Sequence, residues 1–477
     1  MLELILFIGA LASTLAFASA SLIRICSTRA KVPIPVIVPI QTKVKEKIDE
    51  NENVSKYQAL RNLRDQHEVA AVMSRLVDED GAGAWPPNAN HDSWPMALRP
   101  YKDIYFQLIP LLSAAPPSLD DDTNNERREK YRSMMRKSLM ERINVPQVVA
   151  IMAAVEAGNW DLFPRDAYNG FLLLWATIPV VKVAQLEKIV EFPSELDAPW
   201  PYLQRNFGVD ADARNNTSNV LLNFNTRGER IYRINVGMSE LIRSSEEVFF
   251  QMFYDLEVVA FPIYHEMVLS VLSYNSSSAS TCLPHLRTIN TRLRDLFLVF
   301  YENLTKSRVS HSVWLSYVQG FQGWGVGKIV NGVYVKYDGL SGNHVLFFQA
   351  LDAFLGMERY LTDENMERYI PVRQRELCLV LKKYSFVRGA REKGEREIEE
   401  EFAKMVNQLK LFRAAHRARV MSYLQEPAPE RLVMTAGKSV LENSNTKSLG
   451  DALKPLDDML ADRLKETANV GSIGAGA

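Results

Sequence analysis

One histidine stands where a cofactor ligand would have to stand. In FAKMVNQLKLFRAAHRARVMSYL, the positions Met405, Leu409, Phe412, His416, Val420 and Tyr423 recur every three or four residues, so they share one face of a helix that a core would cover. His416 interrupts that face, and Arg413 lies one turn before it, partly on the same side. A histidine on an apolar face is more often a hydrogen-bonded core residue than a ligand. The case for a ligand depends on what else lies nearby.

A second helical segment supplies it. GLSGNHVLFFQALDAFLG carries a single formal charge, Asp352, among Val345, Leu346, Phe347, Phe348, Leu351, Phe354 and Leu355. A carboxylate in such surroundings is buried, and a buried carboxylate without a cation is expensive. Arg413 is the natural partner, which predicts that the two helices pack together. Two readings stay open at this point: a structural ion pair that pins two core helices, or the edge of a cofactor site.

Composition removes several function classes. The 477 residues are 47% hydrophobic and 24% charged, with 56 basic and 57 acidic side chains. That balance leaves no basic footprint for nucleic acid. Cys26, Cys282 and Cys378 are far apart and form no C-x-x-C pair, which argues against a disulfide framework or a zinc site and for a reducing compartment. Sequons at Asn53, Asn215, Asn216, Asn275 and Asn303 are a counter-signal of the kind that arises by chance in a long chain. No H-E-x-x-H, G-x-S-x-G or paired ligand spacing occurs among the seven histidines. AGKS at 436–439 lacks the leading glycine of a phosphate loop, Leu432 standing in its place, and GWGVGK at 323–328 fails similarly.

The elements that must carry these residues are helices. Helical periods cover about 57–77, 128–142, 146–157, 165–191, 245–273, 283–305, 310–321, 343–360, 370–383, 395–424 and 447–467, and VYVKY at 333–337 is the best strand signal. Leu2 to Ile23 is nearly all apolar and is followed by Arg24, Arg29 and Lys31. It is long enough to span a bilayer, with the body of the protein on the cytoplasmic side of a membrane, the endoplasmic reticulum being the expected address. The absence of a basic leading region favours an uncleaved anchor over a signal, and no later segment is expected to be long and apolar enough to span. The expected order is therefore an anchor or signal at 1–30, a Pro-punctuated linker at 31–56, a small helical domain at 57–225, a large one at 226–425, and a loop, short helix and flexible tail at 426–477.

Taken together, YVQGFQGWG, YDGLSGNHVLFFQALDAFLG, RYIPVRQRELCLVL and LFRAAHRARVMSYL resemble, in order and spacing, the C-terminal half of the indoleamine 2,3-dioxygenase family. The resemblance covers roughly residues 215–424, with VLLNF at 220–224 as its last upstream piece and SEEVFFQMFYDLEVVA as a further match. It implies an all-α, two-domain fold holding haem b between helices of the large domain, with His416 as the iron ligand. It also implies Arg413, Asp352, Ser341 and Gly342 as cofactor-binding residues, and Phe249, Phe250 and Glu257 as the family's paired phenylalanines and glutamate. The reaction implied is insertion of both atoms of O2 across the indole C2–C3 bond of tryptophan, to give an N-formylkynurenine-type product, with a separate electron donor keeping the iron reduced.

Three departures accompany these matches. Leu315 stands where the family has the arginine that binds the substrate carboxylate, Phe253 where it has a small serine, and Asn216 at the distal tyrosine position. MTAGKS at 434–439 replaces the family's Gly/Thr-rich closing loop. Losing an arginine–carboxylate contact in a desolvated site forfeits roughly 2–4 kcal/mol of binding. An indole derivative without a free carboxylate therefore suits Phe249, Phe253 and Leu315 better than tryptophan does. A divergent member with another oxygenation or a ligand-sensing role is the alternative, and a helical interaction protein that has lost the cofactor is a third.

Overall fold

The computed structural model describes residues 50–113, 121–177, 193–210, 216–233, 235–276, 279–319, 327–336, 344–424, 434–435, 438–439, 457–458 and 460–468. The apolar segment Leu2 to Ile23, the linker as far as residue 49, and both Ser341 and Gly342 lie outside the described residues. What is described is all-α apart from two short antiparallel pairs. The expected strand at 333–337 is half of one pair: Val333–Lys336 returns along Gly327–Val330. Asn331 and Gly332 make that turn at φ 51 and 79, the left-handed backbone an Asn-Gly hairpin needs.

Among the described residues, buried side chains gather into two large cores and a small third cluster at Met366, Tyr369 and Ile370. One core gathers Tyr57, Leu60, Val69, Met73 and Trp85 with the helices Glu240–Ser276, Leu283–Asn303, Leu346–Phe354, Val372–Lys383 and Arg396–Leu424. The other spans Ala89 to Tyr232. The helices Glu50–Leu63 and Glu68–Arg75 cover the first core. VLLNF at 220–224 lies between the two, with Leu221 and Phe224 in the first core and Leu222 in the second. Asn223 clips the returning chain there, donating to the Tyr232 carbonyl at 2.8 Å and accepting from its N–H at 2.8 Å.

Among the described residues one helix is long and apolar enough to cross a membrane, Glu240–Asn275, with a mean hydropathy of 1.4. This corrects the expectation that no such segment follows the N-terminus. Its apolar stretch is 78% buried inside the protein, which makes it a core helix by position. Helix Arg99–Ser113 was not expected from the sequence, because Pro110 inside it breaks the periodic signal. Helix Trp200–Phe207 ends at Gly208 with φ 62, where a Cβ would lie 2.7 Å from that of Val372, so both conformation and space require glycine.

Candidate functional site

The histidine helix, Arg396–Leu424, is built by the period seen in its sequence: Met405, Leu409, Phe412 and Tyr423 are all buried on one face. It packs against Leu283–Asn303 and against the turn that follows His311. Phe412 sits in a stack of rings, parallel to Phe297 at 4.6 Å and Phe348 at 5.0 Å between centroids. His416, one turn further on, continues it, parallel to Phe412 at 5.8 Å and edge-on to Phe300 at 5.3 Å.

The His416 ring keeps some accessible surface, yet so much protein surrounds it that burial pushes its pKa down to about 4, with the Arg413 charge adding to the effect. The imidazole is therefore neutral at physiological pH. Neither ring nitrogen is held by a hydrogen bond from the described residues. A neutral imidazole with an uncommitted lone pair, walled by aromatic rings, is the donor that haem iron takes from a protein, so the residues present fit the group the resemblance implies.

Asp352 and Arg413 meet. Arg413 Nη2 donates to both Asp352 oxygens at 2.7 Å, with the two side chains only 4% and 10% exposed. Asp352 comes from the short helix Leu346–Phe354, which buries eight residues and has no other charge to bury. A third partner was missed in the sequence: Arg463 Nη2 donates to Asp352 Oδ2, while Arg413 Nη1 donates to the hydroxyl of Thr467. Both belong to the helical stretch 460–468, whose polar composition gives no signal of such a role.

The helix Glu240–Ser276 positions the aromatic residues expected on the distal side. Phe249 is 8% exposed, with Phe253 edge-on to it at 5.1 Å and Trp314 at 6.0 Å. Trp314 in turn meets Tyr423 of the histidine helix at 5.5 Å. Phe249, Phe253 and the histidine helix are thereby linked through ring contacts that the sequence did not reveal. Leu315 lies in the turn Trp314–Gln319, which is held by Asn235 donating to the Tyr317 carbonyl at 2.9 Å. The side chains of Leu315 and Asn216 lie outside the described residues, as does all of Ser341 and Gly342.

Glu257 is a structural hub. It is fully buried and accepts from Trp85 Nε1 at 2.8 Å, Tyr264 Oη at 2.9 Å and the Phe347 N–H at 3.1 Å, tying three separate stretches together. Burial pushes its pKa up, opposed by these bonds. With its oxygens committed, it stands as a tie between elements and not as a free base.

A cavity of about 380 Å³ lies behind Asp352, lined by Gln349, Met357, Tyr360, Cys378 and Leu379 among others. His416 does not line it, so its volume says nothing about a substrate beside the histidine. No group of three or more metal-binding side chains occurs among the described residues, and a haem iron held by one histidine requires none.

No curated protein matches the chain closely enough to count as a relative. The family profile described as indoleamine 2,3-dioxygenase matches residues 181–467 of the 477, a span that contains His416, Arg413, Asp352, Arg463, Phe249 and Phe253. More than half of the chain is matched, with the all-helical fold that the family requires, and the chain belongs to the indoleamine 2,3-dioxygenase family.

Proposed function

We propose that this protein is a haem-dependent dioxygenase that adds O2 across the indole C2–C3 bond of tryptophan or, in better keeping with Leu315, of an indole derivative lacking a free carboxylate. The observation that carries the proposal is a neutral His416, its helix fixed by Arg413 on Asp352, in a member of this family. When bound, haem would supply the oxygen chemistry, with His416 as its protein ligand. The chain's own task is to hold that imidazole neutral and oriented, to keep water from the aromatic face, and to orient the indole.

Phe249 and Phe253 would form the apolar wall against which an indole ring lies. Phe253 fills space where the family has a small serine, and leucine at 315 offers a carboxylate no partner. A small electron donor or redox protein is needed to keep the iron ferrous. The segment Leu2 to Ile23 would hold the enzyme on a membrane facing the cytoplasm, tested by whether carbonate extraction of expressing cells leaves the whole chain in the membrane fraction.

The deciding experiment is the visible spectrum of the whole chain purified with haem supplied, reduced, then exposed to oxygen and to tryptophan or its decarboxylated analogue. A five-coordinate, histidine-ligated ferrous spectrum that shifts with oxygen, followed by formation of an N-formyl product, is expected. A colourless protein would overturn the proposal. Haem and oxygen binding without turnover of any indole would favour the ligand-sensing reading, which Phe253 and Leu315 support.

A further inference from the structure

We propose that the C-terminal helical stretch, residues 460–468, is a working part of the haem site, and that Arg463 and Thr467 are positioning residues for the His416 helix. This inference rests on the haem reading above.

Asp352, 3% exposed, bears two guanidinium groups, one from the histidine helix and one from the C-terminal stretch. The Arg413 guanidinium is gripped at both ends. Its Nη2 straddles the Asp352 carboxylate, and its Nη1 donates to Thr467 Oγ1. Thr467 is 0% exposed and spends its own proton on the Arg463 carbonyl at 2.8 Å, which aims its lone pairs at Arg413. Arg463 is itself fixed, donating to the Glu358 carbonyl at 3.0 Å and lying 4.9 Å from the centre of the Tyr360 ring.

A second contact joins the same two stretches. Arg417 Nε and Nη2 donate to the two Asp457 oxygens at 2.6 and 2.7 Å, a bidentate fork. The chain after the histidine helix is thus fastened to that helix at Arg413 and at Arg417, on either side of His416 in sequence. A helix held at two points a turn apart cannot rotate about its axis without breaking one of them. Docking of Asp457, Arg463 and Thr467 against that helix therefore sets the direction of the imidazole.

Arg463 also pairs with Glu466 one turn further on, so removing it unties this stretch from Asp352 and leaves Arg413 free to shift.

The test uses the whole haem-loaded chain with Arg463→Gln, Arg463→Lys and Thr467→Val, and with Arg205→Gln as a control in a distant exposed pair with Glu156. The readouts are the iron–histidine stretching band of the ferrous protein, the rate of haem loss to an acceptor, and hydrogen exchange of the 460–468 amides. Arg463→Gln and Thr467→Val should shift or broaden the band and speed haem loss about tenfold, the scale of a lost outer-sphere contact. Arg463→Lys should restore part of both, and Arg205→Gln should change neither. If Arg463→Gln does not fold, Thr467→Val, which keeps all charges, decides the matter. Faster exchange at 460–468 with an unchanged band and unchanged haem loss would overturn this inference alone. A wild-type chain that takes up no haem would overturn the haem reading and this inference with it.

Discussion

Two buried ionic clusters hold the two sides of the candidate site, and they are built differently. On the side of Phe249, Arg230 and Glu246 pair at 2.6 Å with side chains only 2% and 3% exposed. Glu246 also accepts from the N–H and the amide of Asn235, and Arg230 lies 4.3 Å from the centre of the Phe250 ring. That cluster sets buried Arg230 against buried Glu246 and, at 3.6 Å, the half-buried Glu247, and through Asn235 it fixes the turn that carries Leu315. Around Asp352, by contrast, one buried anion meets two arginines from separate stretches of chain, the second of which also pairs with Glu466. The first arrangement ties a turn to the long helix Glu240–Ser276; the second ties the C-terminal stretch to the helix that carries His416.

The sharpest way to break this comparison is His416→Ala. It should abolish haem retention, measured by visible absorbance after gel filtration, while far-ultraviolet circular dichroism stays unchanged. Glu246→Ala should come next. Leaving buried Arg230 with only Glu247 at 3.6 Å costs up to about 3–5 kcal/mol, read from urea unfolding, and haem absorbance per folded molecule should stay constant. If Glu246→Ala instead altered the iron environment as strongly as Asp352→Asn is expected to, the division of labour between the clusters would fail.

A smaller effect is expected on the distal turn. Leu315→Arg should raise kcat/KM for tryptophan relative to its decarboxylated analogue by roughly tenfold or more, the worth of a charge-assisted hydrogen bond to a carboxylate. An unchanged ratio would remove Leu315 as the reason for poor tryptophan use.

The mildest test is by pH. His416, with a pKa lowered on folding from 6.5 to about 4, binds fewer protons folded than unfolded between those values. The stability it contributes is complete above about pH 6.5 and is lost as pH falls toward 4. The haem-free wild type should therefore lose more of its urea midpoint than His416→Phe does when taken from about pH 7 to about pH 4.5. Equal losses would mean that the imidazole titrates normally and that the charge beside it is without effect.

Much of the proximal side was legible because each feature left a local mark. His416 breaks a regular apolar stripe, and Asp352 is the lone charge in an apolar run, so each identifies itself and demands a partner. Arg413 followed from being one turn from His416. Arg463 and Thr467 left no mark, since a cation and a threonine four residues apart are ordinary on any surface helix. Their partners lie 111 and 54 residues away in sequence. The Phe249–Trp314–Tyr423 contacts were hidden for the same reason. Helix Arg99–Ser113 was hidden by its internal proline, and the packing of residues 57–85 on the large core by the smooth run of helical periods across that boundary.

What the sequence determined by itself was the all-helical class, the candidate ligand and the need for a cation at Asp352. Side-chain period and the cost of burying charge act over a few residues and survive in one dimension. Which core each helix joins, which second arginine reaches Asp352 and which rings connect Phe249 to the histidine helix were decided only by the tertiary structure. These are choices among many equally charged or equally apolar candidates, and only three-dimensional packing distinguishes them.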